Sequence, residues 1–362
     1  IKKDPKSITG QYLSHKKRIS IPEKTRDITK KDLKIKKAKL HNLKNIDVEI
    51  PLNAITVITG VSGSGKSTLI NDILKKAAFL GVKQRKDKVT FDYGQVEGLS
   101  NFEKVISLDQ SPIHQTSRAD VSTYSDVMPT IRFIYSNLLL AKTKGLKPRH
   151  FSYNHLSGMC RNCWGLGYKK VQLQFLPPIK TLCDSCHGQK LNPISLEVKY
   201  KNKNVGHILD LTIIEAKDFF VSFAKLTKKL DVLIEVGLGY LKLGQGLNTL
   251  SGGEAQRLRL AKELSKRRVN KTLYLFDEPT IGLHFVDIEK LLKIFHKLSD
   301  KKNTLIIIEH NLDIIANADY IIDIGKDAGE KGGQIIAKGS PSQIIKNKTS
   351  YTSKYLNEYL KK

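Results

Sequence analysis

The pattern of apolar and polar positions changes period three times near the start of the chain. "LKIKKAKL" (33–40) alternates like a half-buried strand, "IDVEI" (46–50) repeats that alternation, and "AITVITG" (54–60) is an unbroken apolar run that ends in a glycine-rich turn. "KSTLINDILKKAAFL" (66–80) then takes up helical spacing. Strand, glycine loop and helix together form the setting in which backbone N–H groups can hold phosphate. Between about Ser111 and Gln245 the rhythm breaks, with Pro148, Pro177, Pro178 and Pro193 among short turns, as an inserted module would. From Leu250 a long helix follows a glycine pair, then strands "TLYLFD" and "TLIIIEH" and short strands "YIIDIG" and "QIIAKG". The pattern predicts an α/β fold: a parallel sheet flanked by helices and interrupted by an insertion. Residues 1–32, Lys-rich with Pro5 and Pro22 and without a sustained period, read as a linker.

Length and composition narrow this picture. At 362 residues the chain can bury a large core, and two subdomains are expected. No apolar run approaches the length of a membrane span and the start lacks a signal-peptide core, so a cytoplasmic setting without a membrane partner is expected. A formal charge of +27 suits a polyanionic partner. Only 11 of the 62 basic residues are Arg, a skew that an AT-rich genome would also produce, so charge supports nucleic-acid binding without deciding it.

The chemistry lies in four places. "GVSGSGKS" (60–67) matches GxxxxGK[ST]: Gly60, Val61, Ser62, Gly63, Ser64 and Gly65 form a loop whose N–H groups can face phosphate oxygens, with Thr68 opening the helix behind it. In that loop Lys66 reaches the β and γ phosphates, and the Ser67 hydroxyl can hold Mg²⁺. Asp277 and Glu278 end the strand "TLYLF" at the edge where α/β sheets bind ligands, Asp277 suited to the Mg²⁺ shell and Glu278 to orienting and deprotonating water. His310 after "TLIIIE" and Gln110 in "SLDQSP" are candidates for the γ-phosphate and for bridging metal and water. "LSGGEAQRLRLAKEL" (250–264) places Ser251, Gly252 and Gly253 at a helix N-terminus, where free N–H groups and the helix dipole can grip a second phosphate. Cys160, Cys163, Cys183 and Cys186 have the spacing of a four-thiolate Zn²⁺ site, with redox-active pairs as the rival and His187 as a spacer. Arg161, Trp164, Lys169, Lys170, Lys180 and Lys190 would surround that finger with basic and aromatic surface.

Phosphate loop, Gln loop, LSGGE signature, DE strand, "TIGLH" in the place of a D-loop and a switch His together resemble the ABC ATPase superfamily, in which the signature of one head closes over ATP held by another. With a zinc module between Gln loop and signature, the resemblance narrows to the second ATPase half of the UvrA family, the damage-recognition components of bacterial excinuclease ABC. "SITGQYLSHKKRISIP", "HNLKNIDVEIP", "GVSGSGKSTLI", "DQSPI", "HFSYN", "CDSCHG", "LNPISLEVKY", "LDLTIIEAKDFF", "LGYLKLGQ", "FDEPTIGLHFVDI" and "IEHNLDIIANADYIIDIG" carry it along nearly the whole chain. After "DQSPI" the family usually continues Gly-Arg-Thr-Pro-Arg, whereas this chain has His114, Gln115, Thr116, Ser117 and Arg118.

The resemblance implies an ABC-type P-loop ATPase head interrupted by an inserted zinc-binding signature module. The expected parts are a linker or tail of a preceding half (1–32), the head's first part (33–110), the inserted module (111–245), the head's second part (246–350) and a tail (351–362). It also implies ATP, Mg²⁺ and Zn²⁺ as cofactors, with damaged double-stranded DNA and a second ATPase head as partners. A further implied partner is UvrB, the helicase-like component of the excinuclease, loaded through regions that in the family belong to the other half. The implied activity is ATP hydrolysis coupled to DNA-damage recognition in nucleotide excision repair. A drug-resistance paralogue or an inactive half-protein would keep the same motifs. A transporter ATPase would have no use for the zinc module.

"SITGQYL" (7–13) echoes "SYTSKYL" (350–356), with Ser, Thr, Tyr and Leu at matching offsets. In the family such an S-x-T-G-x-Y-L segment leads from the first ATPase half into the second, so the chain is expected to be a carboxyl-terminal half.

Overall fold

The computed structural model describes residues 1–22, 25–28, 33–109, 111, 113, 118–172, 179–266 and 270–361. Two compact units result, one built from 1–110 with 267–362 and the other from 111–266. The second unit therefore keeps the glycine-pair helix Gly252–Leu264, which the expected division at 245/246 places with the head. That helix packs on the helix Ala224–Glu235 of the same unit, and Tyr240 ties its first turn through a 2.6 Å bond to Glu254.

In the first unit, Leu33–Ala38 (β1), Ile46–Ile50 (β2), Val89–Phe91 (β4) and Gly94–Glu97 (β5) form an antiparallel sheet in the order β2-β1-β5-β4. Its alternating burial matches the alternating sequence. The unbroken apolar runs go elsewhere. Ile55–Thr59 (β3), Lys104–Leu108 (β6), Thr272–Asp277 (β9), Thr304–Ile308 (β10), Tyr320–Gly325 (β11) and Gln334–Gly339 (β12) form a six-stranded sheet ordered β12-β11-β3-β10-β9-β6. Every neighbouring pair there is parallel except β11 with the edge strand β12. Strands β3, β10 and β11 are buried along their full length, as strands covered on both faces must be.

The register fixes the site. Ile308 lies opposite both Ile58 and Asp277, and Asp323 opposite Thr59. The residues that follow these strands therefore emerge together at one edge of the sheet.

Residues 1–22 and 25–28 do more than link. Ser7 caps a short helix, Ile8–Leu13, whose Tyr12 ring stacks 5.0 Å from Phe285, with its hydroxyl 3.2 Å from Glu289. Arg26 spans Asp300 and Asp319, and Asp319 also accepts the Ile55 N–H at 2.8 Å, so this segment is pinned to the sheet. A Pro- and Lys-rich stretch without a period can still dock through single side chains, which periodicity does not register.

The second unit consists of helices and the hairpin Tyr168–Val171 (β7) with Ile179–Leu182 (β8). Its polar centre is Asp120, which accepts from the Tyr153 hydroxyl at 2.5 Å and from Ser122 and Thr123. Lys190 lies 3.5 Å from the same carboxylate and 5.0 Å from the Tyr153 ring centre. That lysine is thus an internal strut and not part of the basic surface expected around the cysteines. No described helix is long and apolar enough to cross a membrane.

Candidate functional site

The loop 60–67 leaves β3 with Gly60, Gly63 and Gly65 at φ of +135°, +74° and +108°, conformations that side chains resist. Space as well as torsion demands glycine at Gly60, where a Cβ would lie 1.9 Å from the Ile324 carbonyl oxygen. The loop is braced from outside. Asn42 donates to the Gly63 carbonyl at 3.0 Å, the Gly329 N–H donates to the same carbonyl at 3.1 Å, and the Gly333 N–H donates to Ser64 at 3.0 Å. Lys66 is buried and its ammonium donates to the carbonyls of Gly60 (2.9 Å) and Val61 (2.8 Å). Burial lowers its pKa against the pull of Glu278, Asp323 and Asp277, three acids that supply much of the local negative field. The helix behind the loop opens as a wide π-type coil from Thr68 to Lys75 and tightens to α from Lys76 to Gln84. Ser67 stands at its start, exposed.

Asp277 ends β9 and accepts from Asn71 at 2.9 Å, so one turn of the loop's own helix holds the acid beside it. Glu278 follows with φ +45°, its N–H donating to Ile308 at 2.9 Å, and its carboxylate lies 3.4 Å from the His310 Nε2. Lys66, Asp277, Glu278 and His310 are therefore gathered at one edge of one sheet. The Gln110 assignment lies outside the described residues.

Glu309, which sequence reasoning passed over, holds this edge together. It is buried, and one carboxylate oxygen accepts from the Thr280 N–H (2.9 Å) and hydroxyl (2.5 Å) while the other accepts from the N–H groups of His310 (2.8 Å) and Asn311 (3.0 Å). It thus locks the turn after Glu278 to the turn carrying His310. Its signal was visible: an acid directly after a fully apolar strand needs donors. Glu309→Ala would strand the buried Thr280 N–H at about 1–3 kcal/mol and leave the half-buried N–H groups of His310 and Asn311 to water at a smaller cost. We expect the urea midpoint to fall by the equivalent of about 2–4 kcal/mol.

In the second unit Ser251 caps the helix Gly252–Leu264, its hydroxyl accepting from the Glu254 N–H at 3.3 Å while Glu254 accepts from the Ser251 N–H at 2.7 Å. This reciprocal cap uses two of the helix-start donors, leaving the N–H groups of Gly252 and Gly253 at the tip as the ones an anion could reach.

The four cysteine sulfurs lie within 4.8 Å of one another and all four residues are buried. The Cys160–Cys183 and Cys163–Cys186 sulfurs are 3.9 and 3.6 Å apart, against the roughly 3.8 Å edge of a tetrahedron with Zn–S bonds of about 2.3 Å. Glycines permit this convergence: at Gly165, with φ +77°, a Cβ would meet the Tyr153 carbonyl oxygen at 2.0 Å. Burial pushes the Cys186 thiol up to about 12, whereas Cys183, desolvated too, is brought down to about 7 by N–H groups of Cys186 and Ser185. Buried sulfurs at these spacings fit a tetrahedral ion, so the cluster is compatible with a zinc module. His187, exposed at φ +46°, takes no place in it. Around it Lys169 pairs with Asp184 at 2.8 Å and Lys180 lies 4.9 Å from the Tyr168 ring centre, while Arg161, Trp164 and Lys170 are exposed.

These features define a class: a mixed α/β fold with a glycine loop and acidic strand end at one sheet edge, carrying a four-cysteine cluster. No family model matches the chain. Its sequence is similar to UvrABC system protein A of Aquifex aeolicus, 50% identical over 365 residues that take in 100% of this chain and 39% of that protein. UvrABC system protein A of Staphylococcus aureus (strain COL) is 47% identical over 362 residues, 100% of this chain and 38% of that one. Among solved structures, UvrA2 from Deinococcus radiodurans superposes with a TM-score of 0.88 at 39% identity, covering 98% of this chain and 42% of that one. The resemblance to the UvrA family holds along the full chain, which spans about two fifths of the length of these relatives.

Proposed function

We propose that the chain is one ATPase half of a UvrA-like protein that recognises DNA damage in nucleotide excision repair. The observation that supports this best is the gathering of Lys66, Asp277, Glu278 and His310 at one sheet edge beside the glycine loop. The loop 60–68 cradles the triphosphate, with Lys66 turning from its carbonyl partners to the β and γ phosphates. Ser67 and Asp277 would hold Mg²⁺, which would supply charge neutralisation at the transferring phosphoryl group. Glu278 orients the attacking water and takes its proton; His310, steadied through Glu309, contacts the γ-phosphate. Gln110 is assigned to bridging metal and water. The tip Ser251–Gly253 serves the triphosphate of a second head, so hydrolysis requires two heads. Cys160, Cys163, Cys183 and Cys186 would hold a structural Zn²⁺ in the module that approaches damaged duplex, and the helicase-like UvrB is the partner recruited by the assembled protein.

Mg·ATP binding tests the core of this reading. Lys66→Ala is expected to weaken binding at least about tenfold by calorimetry, since a charge-assisted phosphate contact is lost. Unchanged affinity would remove the loop from the proposal. DNA binding by the assembled protein should weaken steeply as salt rises, because phosphate contacts release counterions.

A further inference from the structure

We propose that the tail helix Tyr351–Lys361 carries, on the face of Tyr355, a docking surface for a second ATPase head, and that it seats on the corner of that head corresponding to His284, Phe285 and Glu289. This rests on the reading of paired heads. The two echoing segments share one local structure: Ser7 caps its helix through the Gly10 N–H at 3.0 Å, and Ser350 caps its own through the Ser353 N–H at 2.9 Å. Tyr12 and Tyr355 fall five residues after their caps, Leu13 and Leu356 six.

Their burial is reversed. Tyr12 is 6% exposed and Leu13 41%, whereas Tyr355 is 54% exposed and Leu356 0%. One segment has buried the face that the other leaves open. The tail sits on its own head through Leu356, with the Ser350 and Thr352 hydroxyls on Asp323 and the Tyr359 hydroxyl on Asp313. The segment 7–13 sits on the corner through its tyrosine instead: ring on Phe285 at 5.0 Å and 13°, hydroxyl toward Glu289, and Thr9 2.9 Å from His284. Each S-x-T-x-x-Y-L segment thus has a leucine face for one body and a tyrosine face for another. Because Tyr12 fills this corner in every copy of the chain, the occupant is a distinct second head, related to this one by a pseudo-two-fold axis and with its own corner bare, which the open tyrosine of the tail meets as Tyr12 meets this one. With the Thr352 hydroxyl committed to Asp323, the ring carries the contact. Tyr355 also lines a cavity of about 250 Å³ with Gly60, Val61, His310, Asp323 and Tyr351, so a docked partner would close over the flank of the phosphate loop.

Because Tyr12 covers this chain's own corner, the test supplies a bared one. A full chain with benzoylphenylalanine in place of Tyr355 is irradiated with an affinity-tagged full chain carrying Thr9→Ala and Tyr12→Ala; Tyr12→Ala alone serves if the double variant does not fold. The adduct, mapped by mass spectrometry, is expected within residues 284–289 of the tagged chain, and its yield should fall at least fivefold when Phe285→Ala is added. No adduct, or one confined to other residues, overturns the docking surface. Sedimentation of the Glu278→Gln chain with Mg·ATP reads head pairing separately, so the docking surface can fall while paired heads stand, and the reverse.

Discussion

Glu278→Gln is expected to reduce ATP turnover by about 10² to 10⁴, equivalent to about 3–5 kcal/mol of barrier, while leaving Mg·ATP binding intact. The substitution keeps the shape of the side chain and removes only its capacity to take a proton from water. Position supports that division of labour. The backbone of Glu278 is fixed by its N–H bond to Ile308 and by the turn that Glu309 grips at Thr280, so the amide is held where the carboxylate was. Neighbouring Asp277 keeps its bond from Asn71, so the edge proposed to hold the metal is not disturbed. Bound nucleotide then persists and paired heads accumulate, visible as a larger species by sedimentation with Mg·ATP. Labelled phosphate release within a factor of two of the parent would remove Glu278 as the base.

Cys183→Ser is expected to lower zinc content from about one ion per chain to near zero and to release the segment 160–190 to proteolysis at Lys169 and Lys170. The four cysteines form a buried cluster of their own, and the adjoining hairpin is largely exposed, with Val171, Ile179 and Leu182 facing solvent. Few apolar contacts remain to hold it if the ion goes. Apparent binding energies of structural zinc, about 10–16 kcal/mol, rival the stability of a whole domain. The same cluster should lose zinc on acidification, because protons compete for the sulfurs, so retention rises with pH. Atomic emission and limited proteolysis check both statements. Unaltered zinc content in Cys183→Ser would end the assignment.

Much of the site was legible because its chemistry is local. A glycine loop between an apolar strand and a helix, a strand ending in two acids, a capped Ser-Gly-Gly helix and two CxxC pairs each depend on residues a few positions apart, and period and turn chemistry report such features directly. Glu309, Asn42 and Asn71 were not read, since what they do depends on partners that sequence separation hides: Thr280 for the first, the turn at Gly329 for the second, Asp277 for the third. The role of Lys190 was misjudged for the same reason, because a lysine near a finger reads as surface until Asp120 and Tyr153 are found beside it.

By itself the sequence determined the buried strands, the phosphate loop, the helix carrying the signature and the cysteine spacing, since backbone torsions and hydrophobic period act over short distances. Only the tertiary structure decided that the alternating strands β1 and β2 join β5 and β4 in a separate sheet, that strand register brings Asp277, Glu278 and His310 to one edge, and that Tyr12 and Tyr355 turn opposite faces outward. Those outcomes are set by which surfaces close against each other, and closure joins residues hundreds of positions apart whose affinity no local pattern encodes.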